Sequence, residues 1–132
     1  MKKIYVGMGL TQAPKEFRED FQNELKANLR NLSEVEVLDF IGLVAGTPTD
    51  VYDYDRSHTE SAELCVFIVD YPSIGLGMEI SIRLASGKKM LIFAHVDAKI
   101  TRMLTGMCEK EGVSFVRYET VDDIVEKTRE VL

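Results

Sequence analysis

A chain of 132 residues that is 45% hydrophobic can build one folded core, and with 29% charged residues it reads as an ordinary soluble globular domain. A net charge of −6 with no basic stripe argues against polymeric nucleic acid as a partner, yet leaves a single nucleotide open, because a local site can oppose the global charge. No apolar run is long enough for a membrane span, and the first residues enter a strand at once without room for a signal segment. Cys65 in an apolar run and Cys108 in a helical one lack the spacing of a disulfide framework or a metal site. The expectation is a reduced, cytoplasmic protein with no metal and no cofactor.

The first strand is predicted over Ile4–Gly7, breaking into the loop Gly7-Met8-Gly9-Leu10-Thr11-Gln12 before Pro14 opens a helix. Phe17, Phe21, Leu25, Leu29 and Leu32 give that helix one apolar face. Val35, Val37 and Leu38 make a short second strand. From Ile41 to Thr49 the chain is irregular, with Gly42, Gly46 and Pro48, and reads as a loop able to cover a pocket. A second helix, capped by Thr49 or Asp50, carries Tyr52 to Arg56 toward Glu63. The continuous apolar run Leu64–Val69 is a buried strand, and the Pro/Ser/Gly turn after Asp70 leads into a helix near Gly75 to Gly77, with Glu79 in its first turn. Further units follow: a strand over Met90–Ala94, a helix from about Asp97 to Lys110, a strand at Val113, Phe115 and Val116, and a helix from Thr120 to Val131.

Strict alternation of strand and helix predicts a single α/β domain over residues 1–132: a doubly wound five-stranded parallel sheet with helices on both faces. We expect a flavodoxin- or Rossmann-like order, 2-1-3-4-5. Ligands of such sheets bind at the carboxyl ends of the strands where the order reverses, between strands one and three. The loops at Gly7–Gly9 and at Asp70–Glu79 both face that crevice.

Gly7-Met8-Gly9 and Gly75-Leu76-Gly77 each lack the third glycine of a dinucleotide fingerprint, and the chain has no Walker lysine and no Cys-X-X-Cys. His58 and His95 have no triad partners and read as structural; Arg18, Arg30, Arg117 and Arg129 read as solvated. What remains is Tyr5 in strand one, Asp55 on the helix before strand three, and Glu79 after it. Singly, Tyr5 could be core, Asp55 a solvated helix residue, Asp70 a turn cap, and Glu79 the partner of Arg83 at i+4. Jointly Tyr5, Asp55 and Glu79 ring one crevice, which is better than chance.

Val51-Tyr52-Asp53-Tyr54-Asp55, then the strand, then Pro72-Ser73-Ile74-Gly75-Leu76-Gly77-Met78-Glu79 resembles the nucleoside 2-deoxyribosyltransferase superfamily, which includes the 2′-deoxynucleoside 5′-phosphate N-hydrolases. Lys3-Ile4-Tyr5-Val6-Gly7 resembles its opening strand and Ser86-Gly87-Lys88-Lys89 its helix exit, so the likeness runs from Ile4 to about Met107. The resemblance implies that Glu79 attacks the anomeric carbon of a deoxyribosyl group, that Tyr5 orients Glu79, and that Asp55 protonates the departing base. Gly7, Gly9, Ser73, Gly75, Gly77 and Thr101 would bind substrate. An aspartate stands at the Ser73 position in the transferases, whereas a serine there is similar to the hydrolases, which use it on a 5′-phosphate. Thr101 matches a second phosphate-binding hydroxyl, which in that family comes from a neighbouring subunit of a homodimer or larger assembly; alternatively it is a surface helix residue. Gly7-Met8-Gly9-Leu10 is closer to the transferases' Gly-Ala-Gly-Trp and lacks the hydrolases' arginine, a place that Arg102 would be the candidate to take.

The reading is therefore glycosidic cleavage of a 2′-deoxynucleoside 5′-monophosphate through a covalent sugar–Glu79 species. Base exchange between deoxynucleosides is the first alternative, and a non-catalytic nucleotide-binding module is the second.

Overall fold

The computed structural model describes residues 1–39 and 46–132. Five parallel strands, β1 (Lys2–Met8), β2 (Val35–Leu38), β3 (Leu64–Ile68), β4 (Met90–His95) and β5 (Ser114–Tyr118), form one sheet in the order β2-β1-β3-β4-β5. The expected topology is thus present. Between the strands run α1 (Gln22–Arg30), α2 (Pro48–Ser61), α3 (Ile74–Ser86) and α4 (Arg102–Glu111), with α5 (Val121–Val131) after β5.

The pleat sorts β1 into two faces. Ile4, Val6 and Met8 pack with Leu25 and Leu29 of α1 and Ile124 of α5. Tyr5, on the opposite face, packs with Cys65, Phe67, and Leu76 and Ile80 of α3. Both faces of the sheet are covered, which is why β3 reads as an unbroken apolar run rather than an alternating one.

One helix interior and two helix starts differ from the sequence reading, each for a local reason. The apolar residues from Phe17 to Leu29 recur every fourth position, a longer period than an α-helix holds. The chain meets it with a π-helical turn over Phe17–Phe21 that stacks the two phenylalanine rings 4.9 Å apart. The cap of α2 is Thr47 rather than Thr49 or Asp50: Thr47 and Asp50 close a reciprocal capping box, with Pro48 at the first helical position. The rest of the proposed covering segment, 41–45, lies outside the described residues. Finally, α4 begins at Arg102, with Thr101 as cap, not near Asp97. The intervening loop is held instead by Val96 N–H donating to the Tyr118 carbonyl (3.0 Å) and by the Arg117 guanidinium donating to the carbonyls of His95 (2.9 Å) and Ala98 (2.6 Å), so Arg117 is not merely a solvated face.

Candidate active site

The Ser73 side chain accepts from the Leu76 N–H at 3.1 Å, so α3 starts at Ile74, earlier than the glycines suggest. Glu79 consequently sits in the second turn of α3, not the first, beyond the strongest part of the helix dipole. Its i+4 neighbour Arg83 is no partner to it. Arg83 is fully buried and donates to the carbonyls of Thr59 (3.0 Å), Ala62 (2.8 Å), Glu63 (3.1 Å) and Lys89 (2.9 and 2.7 Å). The sequence hinted at this role, since Arg83 continues the inward stripe of Leu76 and Ile80.

Glu79 projects back over the end of β1. Its Oε2 lies 2.9 Å from where a Cβ on Gly7 would stand, and the Phe67 ring from the neighbouring strand lies 2.6 Å from that point. Any side chain at residue 7 would collide with both. Gly9 is equally constrained: a Cβ there would meet the Tyr71 carbonyl oxygen at 2.4 Å and the Ser73 Cβ at 3.0 Å. The two loops therefore converge as the topology predicts, with Glu79 against Gly7 and Ser73 against Gly9.

Tyr5 is fully buried two residues before Gly7, on the same face of the sheet. Its hydroxyl and Glu79 Oε2 are both enclosed, and neither reaches hydrogen-bond geometry with any described residue. The hydroxyl nonetheless stands close enough to favour the ionised carboxylate. Asp55 of α2 and Glu79 line one cleft of about 200 Å³, together with Pro48, Tyr52, Gly75 and Met78. His58, one turn along α2, places its ring 6.3 Å from that of Tyr5 and its Nδ1 2.9 Å from the Tyr54 carbonyl oxygen.

Burial sets the electrostatics of the carboxylate. Loss of solvent pushes Glu79 up to about 8, the Asp55 charge adds to that, and only the Tyr5 hydroxyl opposes it. A helix N-terminus favours an ionised carboxylate, but here desolvation outweighs a dipole one turn away. The same burial, with Glu79 and Asp55 nearby, keeps the Tyr5 phenol protonated far above its ordinary value. Cys65, pushed up to about 12, is an inert thiol.

Helix α3 is a partition. Gly75 and Glu79 face the Asp55 cleft, while Ser73, Leu76, Gly77 and Ile80 face a second groove of about 370 Å³ against α4, with Thr101 on its far wall. The structure thus brings together Tyr5, Gly7, Asp55, Gly75 and Glu79, and joins Gly9 to Ser73. Thr101 and Gly77 lie across α3 from Glu79, and Thr101 shares its groove with Ser73 of the same chain. Asp70 does more than cap a turn. It accepts from the His95 N–H at 2.8 Å and from the Tyr118 hydroxyl, tying the loop before Ser73 to the ends of β4 and β5. Among the described residues no group of three or more His, Cys, Asp and Glu could hold a metal ion, and no helix is long and apolar enough to cross a membrane.

No family model matches the chain. Over 88 residues it is 33% identical to the curated protein named "Putative 2'-deoxynucleoside 5'-phosphate N-hydrolase 1" of Thermofilum pendens, covering 65% of this chain and 61% of that one. Among solved structures, a CMP N-glycosidase of Clostridium botulinum superposes with a TM-score of 0.77 at 19% identity, over 99% of this chain and 100% of the other. A conserved protein of Enterococcus faecalis V583 gives 0.74 at 15% identity, over 100% and 99%. A 2-deoxyribosyltransferase of Leishmania mexicana gives 0.58 at 20%, over 86% and 73%. Fold and crevice define a doubly wound α/β protein with a buried carboxylate at its topological switch point. In sequence and in fold it is similar to members of the nucleoside 2-deoxyribosyltransferase superfamily, the resemblance that its own motifs carry.

Proposed function

We propose that the protein cleaves the N-glycosidic bond of 2′-deoxynucleoside 5′-monophosphates. The observation that carries this reading is the Glu79 carboxylate, enclosed over Gly7 with Oε2 unbonded and Asp55 lining the same cleft. A half-buried carboxylate that is paired with no cation among the described residues costs stability, and a nucleophile justifies that cost.

In the proposed reaction an ionised Glu79 oxygen bonds to C1′ of the sugar as the C1′–N bond breaks. The bonding electrons leave with the base, which takes a proton from Asp55. Water then attacks C1′, the Glu79–C1′ bond breaks, and the water's proton returns to Asp55, leaving 2-deoxyribose 5-phosphate. Carboxylate nucleophiles of retaining glycosidases work in the same two steps. The Tyr5 hydroxyl favours the charged form of Glu79 and so the attacking state. Ser73, whose hydroxyl hydrogen is free because its oxygen accepts from Leu76, can donate to a 5′-phosphate where an aspartate would repel it. The Thermofilum relative's name supports a 5′-phosphorylated substrate.

Chromatography of free base after incubation with each nucleoside and each 5′-monophosphate, in deoxy and ribo forms, tests the proposal. Glu79-dependent release from deoxynucleoside monophosphates without an acceptor base supports it. Exchange that needs both a nucleoside and an acceptor base makes the protein a transferase, the activity named for the Leishmania structure. No release from any substrate leaves a binding module.

A further inference from the structure

Arg83 sits on α3 one turn beyond Glu79, and Thr59 sits on α2 one turn beyond Asp55. Both helices cross between parallel strands, so they run in the same direction. Asp55 and Glu79 therefore share one level of the seam between α2 and α3, and Thr59 and Arg83 the next, about 6 Å further along. At that second level the two helices are bonded to each other. The Arg83 guanidinium donates to the Thr59 and Ala62 carbonyls through one terminal nitrogen, to those of Glu63 and Lys89 through the other, and to Lys89 again through Nε. All of its N–H groups are thereby spent on main-chain carbonyls, and it forms no ion pair among the described residues. The third element of the site reaches the same node: the Glu63 N–H donates to the Lys3 carbonyl at 2.9 Å, two residues before Tyr5 on β1.

We propose that Arg83 is a positioning residue of this site: its guanidinium holds α2, α3 and the start of β1 at the spacing that puts Asp55, Glu79 and Tyr5 around one crevice. As a statement about catalysis this rests on the glycosidase reading above. A planar fork of five donors fixes angles as well as distances, which a point charge on a flexible stem does not. With every donor spent on a carbonyl, none is left to reach a carboxylate. The influences on the ionisation of Glu79 are its burial, Tyr5 and Asp55, so Arg83 acts on Glu79 through geometry and not through its charge. A fully buried guanidinium without a counter-charge is costly, and an apolar side chain would fill the same space at less cost. What the guanidinium supplies and an apolar residue cannot is the register of one helix against the other. The proton donor and the nucleophile stand on those two separate helices, and a misplacement of about 1 Å between such groups can cost about a hundredfold in rate.

The test compares wild type with Arg83→Lys and Arg83→Met on the full chain, at a temperature where circular dichroism shows the protein folded. Where Arg83→Met fails to fold, Arg83→Lys, which keeps the stem, the charge and three donors, carries the comparison. Carbon-13 NMR titration of the Glu79 carboxyl, with and without Asp55→Asn, reads the spacing of the two acids without any substrate. In the wild-type background Asp55→Asn lowers the Glu79 value, because the Asp55 charge raises it. In the Arg83 variants Glu79 titrates below its wild-type value of about 8, and Asp55→Asn moves it less. Both readings unchanged in folded variants mark a merely structural arginine and overturn the proposal. A Glu79 value that rises in Arg83→Met and not in Arg83→Lys marks a charge acting through space and overturns it as well. Base release from deoxynucleoside monophosphates gives the kinetic reading: kcat of Arg83→Lys falls at least about tenfold while KM stays within about threefold. A wild-type kcat in folded Arg83→Lys overturns the proposal. A wild type that releases no base, with the weakened Asp55–Glu79 coupling still seen in the variants, refutes the glycosidase reading and leaves the role of Arg83 in place.

Discussion

Replacing Glu79 by glutamine separates the cost of the carboxylate from the shape of its pocket. Glu79 has an ordinary value of 4.5 and is pushed up to about 8 in the fold. Between those two pH values the folded chain holds a proton that the unfolded chain has released. Stability from this residue is therefore complete below 4.5 and drains away as pH rises toward 8. At about 1.4 kcal/mol for each tenfold change in proton activity, the full interval amounts to about 5 kcal/mol. Because Glu79 is only half-buried as a residue, solvent screening brings the expected figure to about 2–3 kcal/mol. Glutamine copies the protonated acid and does not titrate. Urea unfolding followed by circular dichroism at pH 5, 6, 7, 8 and 9 should show the variant and wild type nearly equal at pH 5. The variant should then become more stable by about 2–3 kcal/mol above pH 8, with no turnover at any pH. A difference between the two that stays constant across this range refutes the burial argument.

Two further outcomes follow from neighbouring side chains. Tyr5→Phe removes a hydroxyl with no closed hydrogen bond, so stability should move by less than about 1 kcal/mol. The acid limb of the pH–rate profile should shift upward because the group that favours ionised Glu79 is gone. Arg83→Met keeps the apolar stem but strips donors from the carbonyls of Thr59, Ala62, Glu63 and Lys89. Thermal unfolding should show a loss of about 3–5 kcal/mol, with a midpoint lowered by about 10–15 °C.

The sheet was legible because its signals are repeated: each apolar run is bounded by turn residues, and five alternations leave few topologies. Tyr5, Asp55 and Glu79 could be placed around one crevice for the same reason, since strand order alone brings their elements together. Finer positions failed where one hydrogen bond decides. The Ser73 cap moved the start of α3 and with it Glu79 out of the first turn; the Thr47–Asp50 box did the same for α2. Long-range polar contacts left less trace. Nothing local announces that the Asp70 carboxylate finds Tyr118, 48 residues on, or which carbonyls the inward Arg83 meets in two separate segments. The sign of the Glu79 perturbation is not legible in the sequence, because it depends on depth in the structure, which Gly7 and Phe67 determine and sequence spacing does not.

Helix α3 carries Ser73 at its cap and Glu79 six residues further along, and it is secured at both ends, by the Ser73 cap and by the guanidinium of Arg83. Six residues at about 1.5 Å of rise each make about 9 Å along the axis. The helix is in effect a calliper whose jaws cannot slide. Under the proposed reaction, a ligand held at Ser73 and attacked at Glu79 would have to match that span around the helix. Under that reaction a chain of two or three phosphates would have to run outward past Ser73 rather than push the sugar deeper, so the reach between the jaws would select for position within the ligand and not for its total length.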